Sequence, residues 1–153
     1  DVLACLEQQF DIDNRRIYST GFSAGALWTT KLVAKRGQYL AAAATLSGGV
    51  GLAVTYETPA YDLPALVVWG GSQDLRGLGI ISINFENESQ ALVSNLQSDG
   101  HYVVQCDHGG GHTVPWGGET WVKSFLFDQV WDDGSTIYQE NLPDGFPEYC
   151  VFP

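Results

Sequence analysis

RRIYSTGFSAGALWTTKLVAKRG, residues 15–37, decides how this chain is read. Residues 15–20 form a short strand-like run, and AGALWTTKLVAKR reads as a helix closed by Gly37. Between them, Gly21-Phe22-Ser23-Ala24-Gly25 fits the pattern G-x-S-x-G. A strand that enters such a turn and leaves it as a helix is the setting of a nucleophile elbow. The sharp turn forces the serine into a strained backbone conformation, and glycines two residues before and after it relieve crowding where strand and helix nearly touch. The serine hydroxyl then stands clear of the sheet. The N–H of Ala24, the residue after Ser23, is the candidate oxyanion donor. A glycine-rich turn with an incidental serine is the plain alternative.

Working outward, residues 1–10 have helical spacing, and 39–47 and PALVVWGG (64–71) are apolar runs suited to strands buried on both faces. Loops are expected at 48–63 and 72–82. A helix follows at 83–99, a strand at 101–107, a glycine-rich loop at 109–118 and an amphipathic helix at 119–131. The alternation predicts an α/β fold, a three-layer sandwich around a mostly parallel sheet. Residues 1–153 form one domain, with 132–153 as a C-terminal extension hugging the surface. Trp28, Trp121 and Trp131 are expected in the core.

A serine hydroxyl is a weak nucleophile and needs a base, which in turn needs an orienting group. His112, in the run Gly109-Gly110-Gly111-His112, can reach over the sheet end from a loop between the last strand and the last helix. His101 reads as an exposed residue at a strand edge, and His108 as a loop or substrate contact. Asp74 directly follows an apolar strand, and functional groups of open α/β sheets gather beyond the carboxyl ends of strands. Asp99 and Asp107 are rivals that read as solvated charges. The order Ser23, Asp74, His112 is that of the α/β-hydrolases. His108 to Gly111 also spells an HGGG oxyanion motif, but it lies after the nucleophile and the acid, and so reads as slack for His112. Phe22, Trp69 and Trp116 are the candidate substrate-lining side chains.

FDIDNRRIYSTGFSAGALWTTKLVAKR (10–36) resembles the polyhydroxybutyrate-depolymerase-like esterases, a group that includes feruloyl and acetyl xylan esterases. WGGSQD (69–74) and GGGHTVPWGG (109–118) are similar to the acid and base segments of that group. Trp69 stands where the pattern has His, and Val114-Pro115-Trp116 reorders its Trp-Pro. The resemblance covers about residues 1–130 and implies an α/β-hydrolase fold, with Ser23, Asp74 and His112 as nucleophile, acid and base.

Charge excludes other classes. Seven basic against 18 acidic side chains give a net charge of −11, which repels phosphate backbones and anionic membranes. Nucleic acid is not an expected partner, and no apolar run reaches the length of a membrane span. Few lysines and an acidic surface suit a secreted or extracellular setting. Cys5, Cys106 and Cys150 lack zinc-site spacing, so no metal and no organic cofactor are expected. They are either buried thiols or one disulfide, Cys106–Cys150, with Cys5 left over.

The expected activity is cleavage of carboxylic esters through an acyl-enzyme on Ser23. A prolyl-oligopeptidase-type peptidase and a non-catalytic binding module of the same fold are the alternatives. Only a helix precedes the strand before Ser23. The sheet is therefore expected to have about four strands with the nucleophile strand at an open edge. The expectation is a C-terminal part of a longer hydrolase, its earlier strands supplied by a missing N-terminal segment or a second chain.

Overall fold

After a short α1 (Val2–Glu7), residues 15–37 form the expected βα unit, β1 (Tyr18–Phe22) and α2 (Ala24–Arg36). This computed structural model describes residues 2–78, 80–131, 138 and 141–152, with the side chain of Leu78 excepted. β2 (Ala42–Leu46) and β3 (Ala65–Trp69) follow, then a hairpin of β4 (Leu75–Leu78) and β5 (Ile81–Asn84). α3 (Phe85–Ser98), β6 (Val103–Asp107), α4 (Gly118–Asp128) and β7 (Cys150–Val151) complete the described elements. The main sheet has the order β1-β2-β3-β6-β7, parallel except for β7.

All five residues of β2 and of β3 are buried, because helices cover both faces of the sheet. Alternation sorts their side chains. Ala42, Ala44, Leu46, Leu66 and Val68 pack with Trp121, Val122, Phe125 and Leu126 of α4. Val67, Trp69 and Val103 pack with Leu92, Val93 and Leu96 of α3, and Ala43 with Val33 of α2. The fold is thus the predicted α/β sandwich, with α4 on one face and α2 and α3 on the other.

Several local expectations need correction. The hairpin of β4 and β5 occupies most of the stretch read as the loop 72–82. α1 is shorter than residues 1–10 and has no buried residue. Trp121 is core, but Trp28 is 65% exposed on the outer side of α2, and Trp131 is 39% exposed beyond the end of α4. Helical spacing alone does not say which aromatic faces the sheet. His101 is buried, and its Nδ1 accepts from the Leu63 N–H at 3.4 Å; it is not an exposed edge residue.

The expected surface extension also belongs to the core where it is described. Tyr138 and Cys150 are buried, and Leu142, Phe146 and Tyr149 pack against the α4 side. Residues 132–137, 139, 140 and 153 lie outside the described residues. β7 pairs with β6 so that Cys150 lies opposite Cys106, and the two are joined by a disulfide. Cys5 is an exposed free thiol. The bridge closes a loop with a sequence separation of 44, which in the chain-entropy picture is worth about 3–4 kcal/mol. Cys150→Ser is therefore expected to lower unfolding stability by about that amount, measured as the shift in denaturant midpoint against the oxidised protein.

Candidate active site

β1 delivers Ser23 at φ 56 and ψ −118, one of two non-glycine residues with positive φ among those described. Its N–H is pinned to the Leu46 C=O at 2.9 Å, and its C=O accepts from Leu27 N–H at 3.0 Å, the first hydrogen bond of α2. Gly21 is required here. A Cβ on it would fall 2.3 Å from the carbonyl carbon of Gly25. Gly25 itself has open space where a Cβ would stand, so the crowding expected at both glycines exists at one. Ala24 is exposed at the first position of α2, where an N–H has no intrahelical acceptor.

Asp74 follows β3 through a single tight helical turn, Gly71–Gln73, and is fully buried. Its Oδ2 accepts from Ser47 Oγ at 2.8 Å and from the Gly70 N–H at 2.9 Å. Its Oδ1 lies 2.7 Å from His112 Nδ1, and His112 Nε2 lies 2.9 Å from Ser23 Oγ. An ionised carboxylate can only accept hydrogen bonds, so Nδ1 donates and the Nε2 lone pair is left to face the hydroxyl. The three residues picked from distant parts of the sequence are brought into one hydrogen-bonded chain. Such a chain can move a proton from the hydroxyl to the imidazole while the carboxylate holds the ring.

The glycine loop is close-packed rather than slack. A Cβ on Gly70 would fall 1.9 Å from the Gly111 carbonyl oxygen, and the Gly111 N–H donates to the Gly70 C=O at 2.8 Å. The Asp74 turn and the His112 loop thus touch backbone to backbone. The remaining backbone N–H groups of His108 to Gly111 are also engaged: His108 N–H on Trp69 C=O, Gly109 N–H on Asp107 Oδ1 and Gly110 N–H on His108 Nδ1. That run serves its own loop. Burial lowers the pKa of His108, opposed by the charges of Asp74 and Asp107. Asp99 accepts from Tyr56 Oη at 2.6 Å, and so neither rival acid reaches His112.

The lining residues divide. The Phe22 ring lies 4.8 Å from the His112 ring and forms part of the wall of an apolar cavity of 420 Å³ with Leu46, Val114, Val122 and Leu126. Trp69 is buried against α3, and Trp116 is fully exposed, so neither lines the apolar cavity beside Phe22. Trp69 takes the side that alternation assigns to Val67, and Trp116 projects from the loop after Pro115. Phe85, absent from the expected site, also stacks on the imidazole, with centroids 4.8 Å apart. Its N–H donates to the Asp74 C=O at 2.9 Å. Among the described residues, no cluster of His, Cys, Asp or Glu could hold a metal ion, and no helix is long and apolar enough to cross a membrane.

No family model matches the chain, and no curated protein does. Solved structures do. The crystal structure of native sOPH matches 99% of this chain with a TM-score of 0.77 at 17% identity. A complex of a serine-to-alanine variant of pOPH with pNPB matches 98% with a TM-score of 0.78 at 19% identity. A thermostable esterase matches 84% with a TM-score of 0.60 at 20% identity. The chain spans 57% of the sOPH and pOPH chains and 35% of the thermostable esterase. What this chain shares with them is the fold, an α/β-hydrolase-like sandwich on a mostly parallel five-stranded sheet.

Proposed function

We propose that this chain carries the catalytic residues of a serine carboxylic-ester hydrolase. The observation that carries the reading is the hydrogen-bonded series Asp74–His112–Ser23, with Ser23 at positive φ on a strand-to-helix turn. Ser23 Oγ attacks the ester carbonyl carbon while His112 Nε2 takes its proton. The carbonyl oxygen becomes an oxyanion against the Ala24 N–H. On collapse, the bond to the alcohol oxygen breaks and His112 returns the proton to it, leaving an acyl group on Ser23. Water then repeats the sequence and releases the acid. Asp74 keeps the imidazole in the right tautomer and stabilises its cation. The resemblance of residues 10–36 to ester hydrolases and the esterase among the structural neighbours support an ester over an amide substrate.

On this reading the free edge of β1 is covered by further polypeptide, from this protein or a second chain, which supplies the second oxyanion donor. β1 is only half-buried, unlike β2 and β3, and the apolar cavity runs beside it. A bare strand edge next to a reactive serine invites unwanted pairing. The disulfide favours a secreted setting.

The test is a fluorophosphonate probe followed by peptide mapping, with aryl esters and peptide anilides as substrates. The expected result is one label, on Ser23, and turnover of esters only. Turnover of anilides instead would make the protein a peptidase, and a failure to label would remove the nucleophile altogether.

A further inference from the structure

Ser47 is 1% exposed and has φ 49, the left-handed region that disfavours every side chain. It stands at the carboxyl end of β2, where its N–H donates to the Val68 C=O at 2.8 Å. The turn it begins is wedged between helices. A Cβ on Gly48 would fall 2.6 Å from the Ala26 methyl, and one on Gly49 would fall 2.2 Å from the Glu88 carbonyl carbon. Glycine suits such backbone at Ser47 as well, yet the position carries a hydroxyl, and that hydroxyl donates to Asp74 Oδ2 at 2.8 Å.

We infer that Ser47 is a positioning residue for the Asp74–His112 pair. A carboxylate rotates in a broad, shallow well about its last torsion. With Oδ2 held by Ser47 Oγ on one side and the Gly70 N–H on the other, Oδ1 is left facing His112 Nδ1. One oxygen is locked so that the other points. The backbone strain at Ser47 is the counterpart of that placement, as strain near functional groups often is. The inference rests on the esterase reading of the site.

Two variants separate positioning from folding. Ser47→Gly removes the hydroxyl and releases the strain, whereas Ser47→Ala removes the hydroxyl and keeps it. Both are compared with the unmodified protein for aryl-ester kcat and KM, for the denaturant midpoint, and for the downfield proton resonance of the His112 Nδ1–H. The expected result is a kcat about 10- to 100-fold lower in both variants, the loss of a hydrogen bond to a charged group, with KM changed less than about twofold. Ser47→Gly unfolds at the same or a higher denaturant concentration than the unmodified protein, and the resonance moves or broadens in both variants. Full kcat and an unmoved resonance in Ser47→Gly would overturn the inference, as would a kcat that falls only with the folded fraction. If the unmodified protein hydrolyses no ester, the esterase reading fails by itself. The resonance then decides for Ser47: a shift upholds the positioning role and no shift overturns it.

Discussion

Ser23→Ala is expected to lower kcat for an aryl ester by about 10⁴-fold or more and to abolish fluorophosphonate labelling. The size follows from geometry. The hydroxyl sits 2.9 Å from His112 Nε2, the only ring nitrogen not occupied by Asp74, so with Ser23 gone His112 has no nucleophile to activate. His112→Ala should cost nearly as much, because an unassisted hydroxyl remains protonated. The decisive comparison is Ser23→Ala combined with His112→Ala. Groups that act as one unit are strongly non-additive, so the double variant should be no slower than the worse single one. Additive losses would mean that the two side chains work independently and that the hydrogen-bonded chain is not the machinery.

Gly70→Ala carries a large expected effect on both stability and rate. Its methyl would enter the space of the Gly111 carbonyl, 1.9 Å away, and Gly111 cannot retreat without giving up its own N–H bond to Gly70. Overpacking of this kind costs about 3 kcal/mol. Because Gly70 also donates to Asp74 and Gly111 precedes His112, the displacement separates acid from base. A shift of about 1 Å there can cost about 10²-fold in rate. Gly25→Ala is the contrast. With open space at its Cβ and a helical position, it should raise stability by up to about 1 kcal/mol. Denaturant midpoints read both, and an unaffected Gly70→Ala would show that the two loops are not in contact.

The contrast explains what could be read in the sequence. The elbow was legible because its demand is local: Gly21 must be glycine for reasons contained within five residues. The meeting of Asp74 and His112 with Ser23 was legible because both leave the carboxyl ends of strands, on the side of the sheet where Ser23 turns. The layer order was legible because continuous apolar strands require helices on both faces. Trp69 was misread because a strand apolar throughout has no period to say which face each side chain takes. Phe85, Ser47 and the close approach of Gly70 and Gly111 depend on contacts between segments far apart in the chain. The tail looked polar because its composition masks Tyr138, Phe146 and Tyr149, three aromatic anchors among acidic neighbours.

The bridge between Cys106 and Cys150 encloses His112 and the whole of α4 within one covalent ring. A protease that cuts the backbone once anywhere inside that ring releases nothing. The two pieces stay tethered through sulfur, and His112 remains close to Ser23. Such a nicked molecule runs as one species until it is reduced and then falls into two. Survival after a cut is thus built into the same strand pair that ends the sheet.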